Sequence, residues 1–122
     1  MTAQFIIGFG GRALLAMLFI LAGVAKIIGP QPFLQHMAQF NVPGILLPAV
    51  IALELGAGLS LLLGWQVRYA AAALGIFSLL TAVIFHHGIS VPAERTLFFK
   101  DIALAGALIA MAASAWTAVL PE

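Results

Sequence analysis

No cysteine occurs in the 122 residues, so thiolate-held iron–sulfur clusters, thiol–disulfide chemistry and disulfide staples are all excluded. Charge is almost as scarce. Five Lys and Arg with four Asp and Glu make up 7% of the chain, whereas a soluble domain carries roughly 25%. So few charges cannot clothe a water-facing surface. The net charge of +1 provides no field to draw in nucleic acid, and no run of Lys or Arg suggests a polybasic lipid-binding arm. The patterns GxGxxG, GxxxxGK[ST] and HExxH are missing, which removes the usual signs of nucleotide binding and zinc hydrolysis. Any redox chemistry therefore has to come from a bound organic cofactor or from a partner chain.

What is present is apolar: 64% of residues are hydrophobic and the mean hydropathy is +1.18. A bilayer core about 30 Å thick is crossed by about 20 apolar residues in a helix. Four stretches meet that length, at about 5–28, 45–63, 67–85 and 98–120. Backbone groups in lipid have no water to bond, so each stretch must be helical. The expected fold is all-α, a four-transmembrane-helix bundle forming a single domain over residues 1–122, with the lipid bilayer as its main partner. The first stretch has the outline of a secretory signal, but three more spans follow, and it reads better as a signal-anchor that stays in place.

Turn residues separate the spans. Gly29-Pro30-Gln31-Pro32 stops the first, because proline cannot continue a helical ladder. Between it and Asn41-Val42-Pro43-Gly44 lies an amphipathic segment with Phe33, Leu34, Met37 and Phe40 on one side, suited to a short helix in the membrane interface. Gly64-Trp65-Gln66 is a tight turn, and residues 88–96 form the other polar loop. An even number of spans places Trp65, Tyr69 and Trp116 at one membrane level, as an aromatic belt requires. Lys and Arg divide too evenly between the two sides to fix the orientation.

Small residues allow helices to approach closely in lipid. Ala52, Gly56, Ser60 and Gly64 form one small stripe on the second span, while Glu54 and Gly58 lie on the opposite face. Both faces call for protein contact. On the first span Arg12, Phe19, Gly23 and Lys26 share a face.

A charge in the middle of a span costs about 2.5–3.5 kcal/mol on insertion scales, so it demands a partner or a function. Glu54 is the clearest case. Counted at 1.5 Å per residue from the ends of antiparallel spans, Arg12 reaches the same depth within one turn, and a buried Arg12–Glu54 ion pair is expected. Toward the other side, Lys26, His86, His87, Lys100 and Asp101 converge on one level. They compose a candidate polar pocket of cations, imidazoles and one carboxylate. A second reading stays open, in which the lysines snorkel to the interface and the histidines, including His36, are ordinary interfacial or loop residues. No metal site is expected, and no two histidines sit in separate spans at a common mid-membrane depth, as a bis-histidine haem would need.

Several of these segments fall into a familiar order. Arg12-Ala-Leu-Leu precedes Phe19-Ile-Leu-Ala-Gly-Val-Ala-Lys26 and a proline. Ile51-Ala-Leu-Glu54-Leu-Gly-Ala-Gly58 follows, with Leu63-Gly64, then Arg68, Phe85-His86 and Phe99-Lys100-Asp101-Ile-Ala-Leu-Ala-Gly106. The ordered set, spread over the whole chain, resembles the DoxX family. The resemblance implies a four-helix protein of the bacterial inner (cytoplasmic) membrane. Its founding member is similar to the membrane subunit of a thiosulfate:quinone oxidoreductase, other relatives associate with oxidoreductase complexes, and a distant animal relative acts as a membrane chaperone. On that basis the expected function is a membrane subunit of an oxidoreductase system, with quinone as its non-covalent cofactor and Lys26, His86 and Asp101 at the headgroup. The alternative is a non-catalytic anchor or assembly factor for a soluble oxidoreductase, or one working as a homo-oligomer. Small-solute transport fits four short spans least well.

Overall fold

The computed structural model describes residues 2–85 and 90–119. All the regular structure among them is helical: α1 (Ala3–Ile28), α2 (Gln31–Gln39), a 3-10 turn (Gly44–Leu46), α3 (Leu47–Leu63), α4 (Val67–Phe85) and α5 (Pro92–Val119). Four helical stretches are long and apolar enough to cross a membrane: Ala3–Ile28, Gly44–Leu63, Val67–Phe85 and Pro92–Ala118. The chain divides after Gln66 into two compact units, each built on one antiparallel helix pair.

In the first unit, α1 starts from Thr2, whose hydroxyl accepts a bond from the Phe5 amide at 3.1 Å. It stops at Gly29, ahead of the prolines. Next, α2 turns its apolar side inward: Met37 is buried, Phe33, Leu34 and Phe40 are half-buried, and Gln35 and Gln39 are exposed. Asn41 closes it in a left-handed conformation (φ 59°), which asparagine tolerates better than most residues. The far end of α3 closes on Gly64 at φ 74°, with the Gly64 amide bonded to the Leu61 carbonyl and the Trp65 amide to the Ser60 carbonyl. That double closure needs a residue free of Cβ in the left-handed region.

The α1–α3 contact is set by two notches. Leu55 packs against Gly23, and Ile20 packs against Gly58, at distances a Cβ on either glycine would violate. Ala16, Phe19 and Gly23 of α1 are buried together with Glu54, Gly58 and Leu61 of α3. The expected shared faces therefore do form the seam. The opposite side of α3 is not used within this hairpin, since a Cβ on Gly56 would meet nothing within 4 Å.

In the second unit, α4 and α5 pack through Ala70, Ala71, Leu74, Gly75, Ser78 and Ala82 against Ala105, Leu108 and Ala112. The sequence reading started the last span near residue 98, but α5 begins at Pro92. Proline at a first helical position has no amide to lose and a φ already suited to the helix, and Glu94 in the first turn complements the helix dipole. A hydropathy window misses this first turn because it is polar. The expected loop over 88–96 is thereby shortened from its C-terminal side.

Candidate functional site

Glu54 is 3% exposed and stands at the middle of α3, where no carboxylate is stable alone in an apolar setting. Its ion partner is Lys26: the ammonium Nζ lies 2.9 Å from Glu54 Oε1. At that separation the ammonium and the carboxylate are in direct charge-assisted contact. The face of the Phe33 ring closes the other side of the ammonium, with its centroid 4.8 Å from Nζ. Lys26 is thus held between a carboxylate of α3 and an aromatic ring of α2, and its side chain keeps only 15% of its exposure.

The local sequence explains each position. Lys26 falls in the last turn of α1, where a cation is favoured by the helix dipole. The break at Gly29 and the prolines sends the chain back so that Phe33, in the first turn of α2, returns to the lysine. Glu54 lies one residue before Leu55, which fills the Gly23 notch, so the same close approach brings the carboxylate level with the end of α1.

This corrects the expected Arg12–Glu54 pair. Arg12 instead donates from Nη1 to the Leu61 carbonyl at 3.0 Å and packs on the left-handed turn at Gly64. Phe9 lies beneath its guanidinium, 5.9 Å from the ring centroid. The depth estimate failed because the two helices do not end flush. The first turns of α1 run past the end of α3, so Arg12 is level with Gly64, and Glu54 lies about ten residues, roughly 15 Å, further along. Arg12 therefore serves as a side-chain cap on α3, giving the Leu61 carbonyl a second, charged donor beside the Gly64 amide.

Arg12→Gln should lose that charged cap and cost about 1.5–3 kcal/mol. Amide exchange over residues 60–64 should quicken while the middle of α3 stays protected. Unchanged exchange at the Gly64 turn would remove Arg12 from this role.

The other members of the expected pocket are distributed as follows. Lys26 belongs to the first unit, and Lys100 and Asp101 to the second, on the exposed and half-exposed surface of α5. His86 and His87 lie outside the described residues. His36 sits on α2 with its ring edge-on to Phe40, the centroids 5.3 Å apart. Among the described residues, no group of three or more His, Cys, Asp and Glu could hold a metal ion. The sequence reading missed Phe33 as a partner of Lys26. The signal was there in a lysine closing one helix and a phenylalanine opening the next, with prolines forcing the reversal between them.

The DoxX family model matches residues 8–87, a segment that holds Arg12, Lys26, Phe33 and Glu54. Inner membrane protein YqjF of Escherichia coli (strain K12) is 39% identical over 101 residues, covering 83% of this chain and 78% of the relative. Inner membrane protein YphA of the same organism is 32% identical over 108 residues, covering 83% and 77%. No solved structure matches. With four helices of membrane-spanning length and relatives of the inner membrane aligned over most of their length, this is a multi-pass inner-membrane protein, and it belongs to the DoxX family.

Proposed function

We propose that the chain is the quinone-binding membrane subunit of an oxidoreductase system, and that the quinone headgroup is held at Lys26, Glu54 and Phe33. The observation that carries this reading is the ion pair buried at the α1–α3 seam and roofed by an aromatic ring. Ionisable groups inside a membrane span are costly, and they commonly mark a ligand or proton path. The residues suit a quinone. Lysine has three N–H donors for a carbonyl oxygen, the Glu54 carboxylate accepts from a hydroxyl, and Phe33 offers a ring face for stacking. A bound quinone would supply two-electron, two-proton transfer between the bilayer and a partner. Lys26 and Glu54 would orient the headgroup and hold or release a proton at Nζ or Oε1, and α2, set over the ammonium through Phe33, would shield them from water. The electrons would come from a soluble oxidoreductase docked at the membrane surface, since a chain without cysteine has no thiol redox centre of its own.

A second reading, a non-catalytic anchor or assembly factor, is favoured by a different observation. Both cations of the first unit are already engaged: Arg12 caps α3, and Lys26 neutralises Glu54.

The two readings separate on purified protein in lipid nanodiscs. The wild type should carry co-extracted quinone, or bind added quinone on titration. The paired substitution Lys26→Gln with Glu54→Gln removes both charges together and should weaken that binding at least about tenfold, equivalent to 1.4 kcal/mol, with helical circular dichroism retained. A folded wild type that neither carries nor binds quinone would overturn the proposal in favour of the anchor.

A further inference from the structure

The second unit carries a cation that the Lys26–Glu54 site does not use. Arg68, in the first turn of α4, places its guanidinium carbon 4.7 Å from the Tyr69 ring centroid and 5.3 Å from that of Trp116. The two rings meet edge to face, their centroids 5.2 Å apart. Trp116 lies in the last turn of α5, so both helices bring this cluster to the same end of their hairpin.

We infer that Arg68, Tyr69 and Trp116 form a binding site for the phosphodiester of an anionic glycerophospholipid. The ends of spanning helices lie at the headgroup level, where tyrosine and tryptophan collect and where long basic side chains direct their charge. At that depth the abundant anion is lipid phosphate. An arginine covered by aromatic rings keeps its N–H edge, a rigid fork of donors whose spacing matches two oxygens of a phosphate. Contact with the rings holds the guanidinium in place before the lipid arrives, so less side-chain freedom is lost on binding. The first turn of α4 adds amide dipoles favourable to an anion. An aromatic belt accounts for Tyr69 and Trp116, and the guanidinium set against both rings adds the charge and the donor fork that select an anion there.

The test uses the full chain in detergent with Trp65→Phe, which leaves Trp116 as the sole indole of the two. Phosphatidylglycerol, phosphatidylcholine and inorganic phosphate are titrated separately, with binding read by native mass spectrometry and by Trp116 fluorescence. One phosphatidylglycerol should bind at least about tenfold more tightly than phosphatidylcholine, a difference of 1.4 kcal/mol. Arg68→Gln should abolish that preference, and Arg68→Lys should keep part of it. Trp116→Leu, read by mass spectrometry alone, should reduce the preference severalfold and serves as the test if Arg68→Gln does not fold. Equal affinity for the two lipids, or a preference that survives in folded Arg68→Gln or Trp116→Leu, would overturn the inference. So would inorganic phosphate displacing the lipid at matched concentration, which would mark a small-anion site instead.

Discussion

Lys26→Met is expected to destabilise the first hairpin by about 3 kcal/mol, more than Glu54→Leu, and the two substitutions together are expected to restore most of the loss. The asymmetry comes from position. Without Glu54, Lys26 sits in the last turn of α1 and can swing its ammonium toward the interface on a flexible stem. Without Lys26, Glu54 is fixed at mid-helix with 3% exposure and has nowhere to go. Only protonation or partial unfolding relieves it. Replacing both leaves an apolar seam of similar volume, which buried ion pairs commonly tolerate. Equilibrium unfolding of the four proteins in mixed micelles closes a double-mutant cycle. Additive losses would show that the 2.9 Å contact carries no coupling energy, and the equal placement of both groups would then need another cause.

Gly58→Ala should cost about 1–3 kcal/mol through overpacking, whereas Gly56→Ala, half a turn away, should be neutral or slightly stabilising because alanine is the better helix former. A Cβ at Gly58 would come within 2.9 Å of Ile20 Cγ1, with the Ile20 amide nitrogen at 3.4 Å and the Ala16 carbonyl oxygen at 3.5 Å. Ile20 can change rotamer, but the backbone behind it cannot. Gly23→Ala should be milder, because its Cβ meets Leu55 Cγ at 2.8 Å and Cδ2 at 2.9 Å, side-chain atoms with some freedom to turn away. The unfolding midpoints of the three variants give the order directly. A loss at Gly56 equal to that at Gly58 would mean that α3 is held by its other face.

The spans were legible because hydropathy and helix length are direct physical demands of the bilayer. Val67–Phe85 begins and ends where the apolar run does. The seam faces were legible too, since Gly23 with Phe19, and Glu54 with Gly58, are matters of angle around one helix. The pairing of charges was not, because it depends on the sliding of one helix along another. That offset is set by which large side chain enters which glycine notch, a choice between Leu55 at Gly23 and its neighbours that composition does not encode. An offset of a few turns exchanges Arg12 for Lys26 as the partner of Glu54. The start of α5 was obscured for a simpler reason: Pro92 to Thr96 are polar yet helical, with the Thr96 hydroxyl bonded back to the Pro92 carbonyl at 3.1 Å.

Placing Lys26 at the end of α1 and Glu54 inside α3 also orders events during synthesis. A ribosome adding 5–20 residues per second makes the lysine about one to six seconds before the carboxylate that will neutralise it. In that interval α3 is not yet made, and the lysine of α1 can wait at the water boundary. The glutamate is made second, and its helix enters a membrane where the cation is already anchored on a finished neighbour. In the reverse order, a mid-span carboxylate would have to wait in lipid for a partner not yet translated. The chain therefore inserts α1 and α3 in the sequence that never leaves the less mobile charge alone.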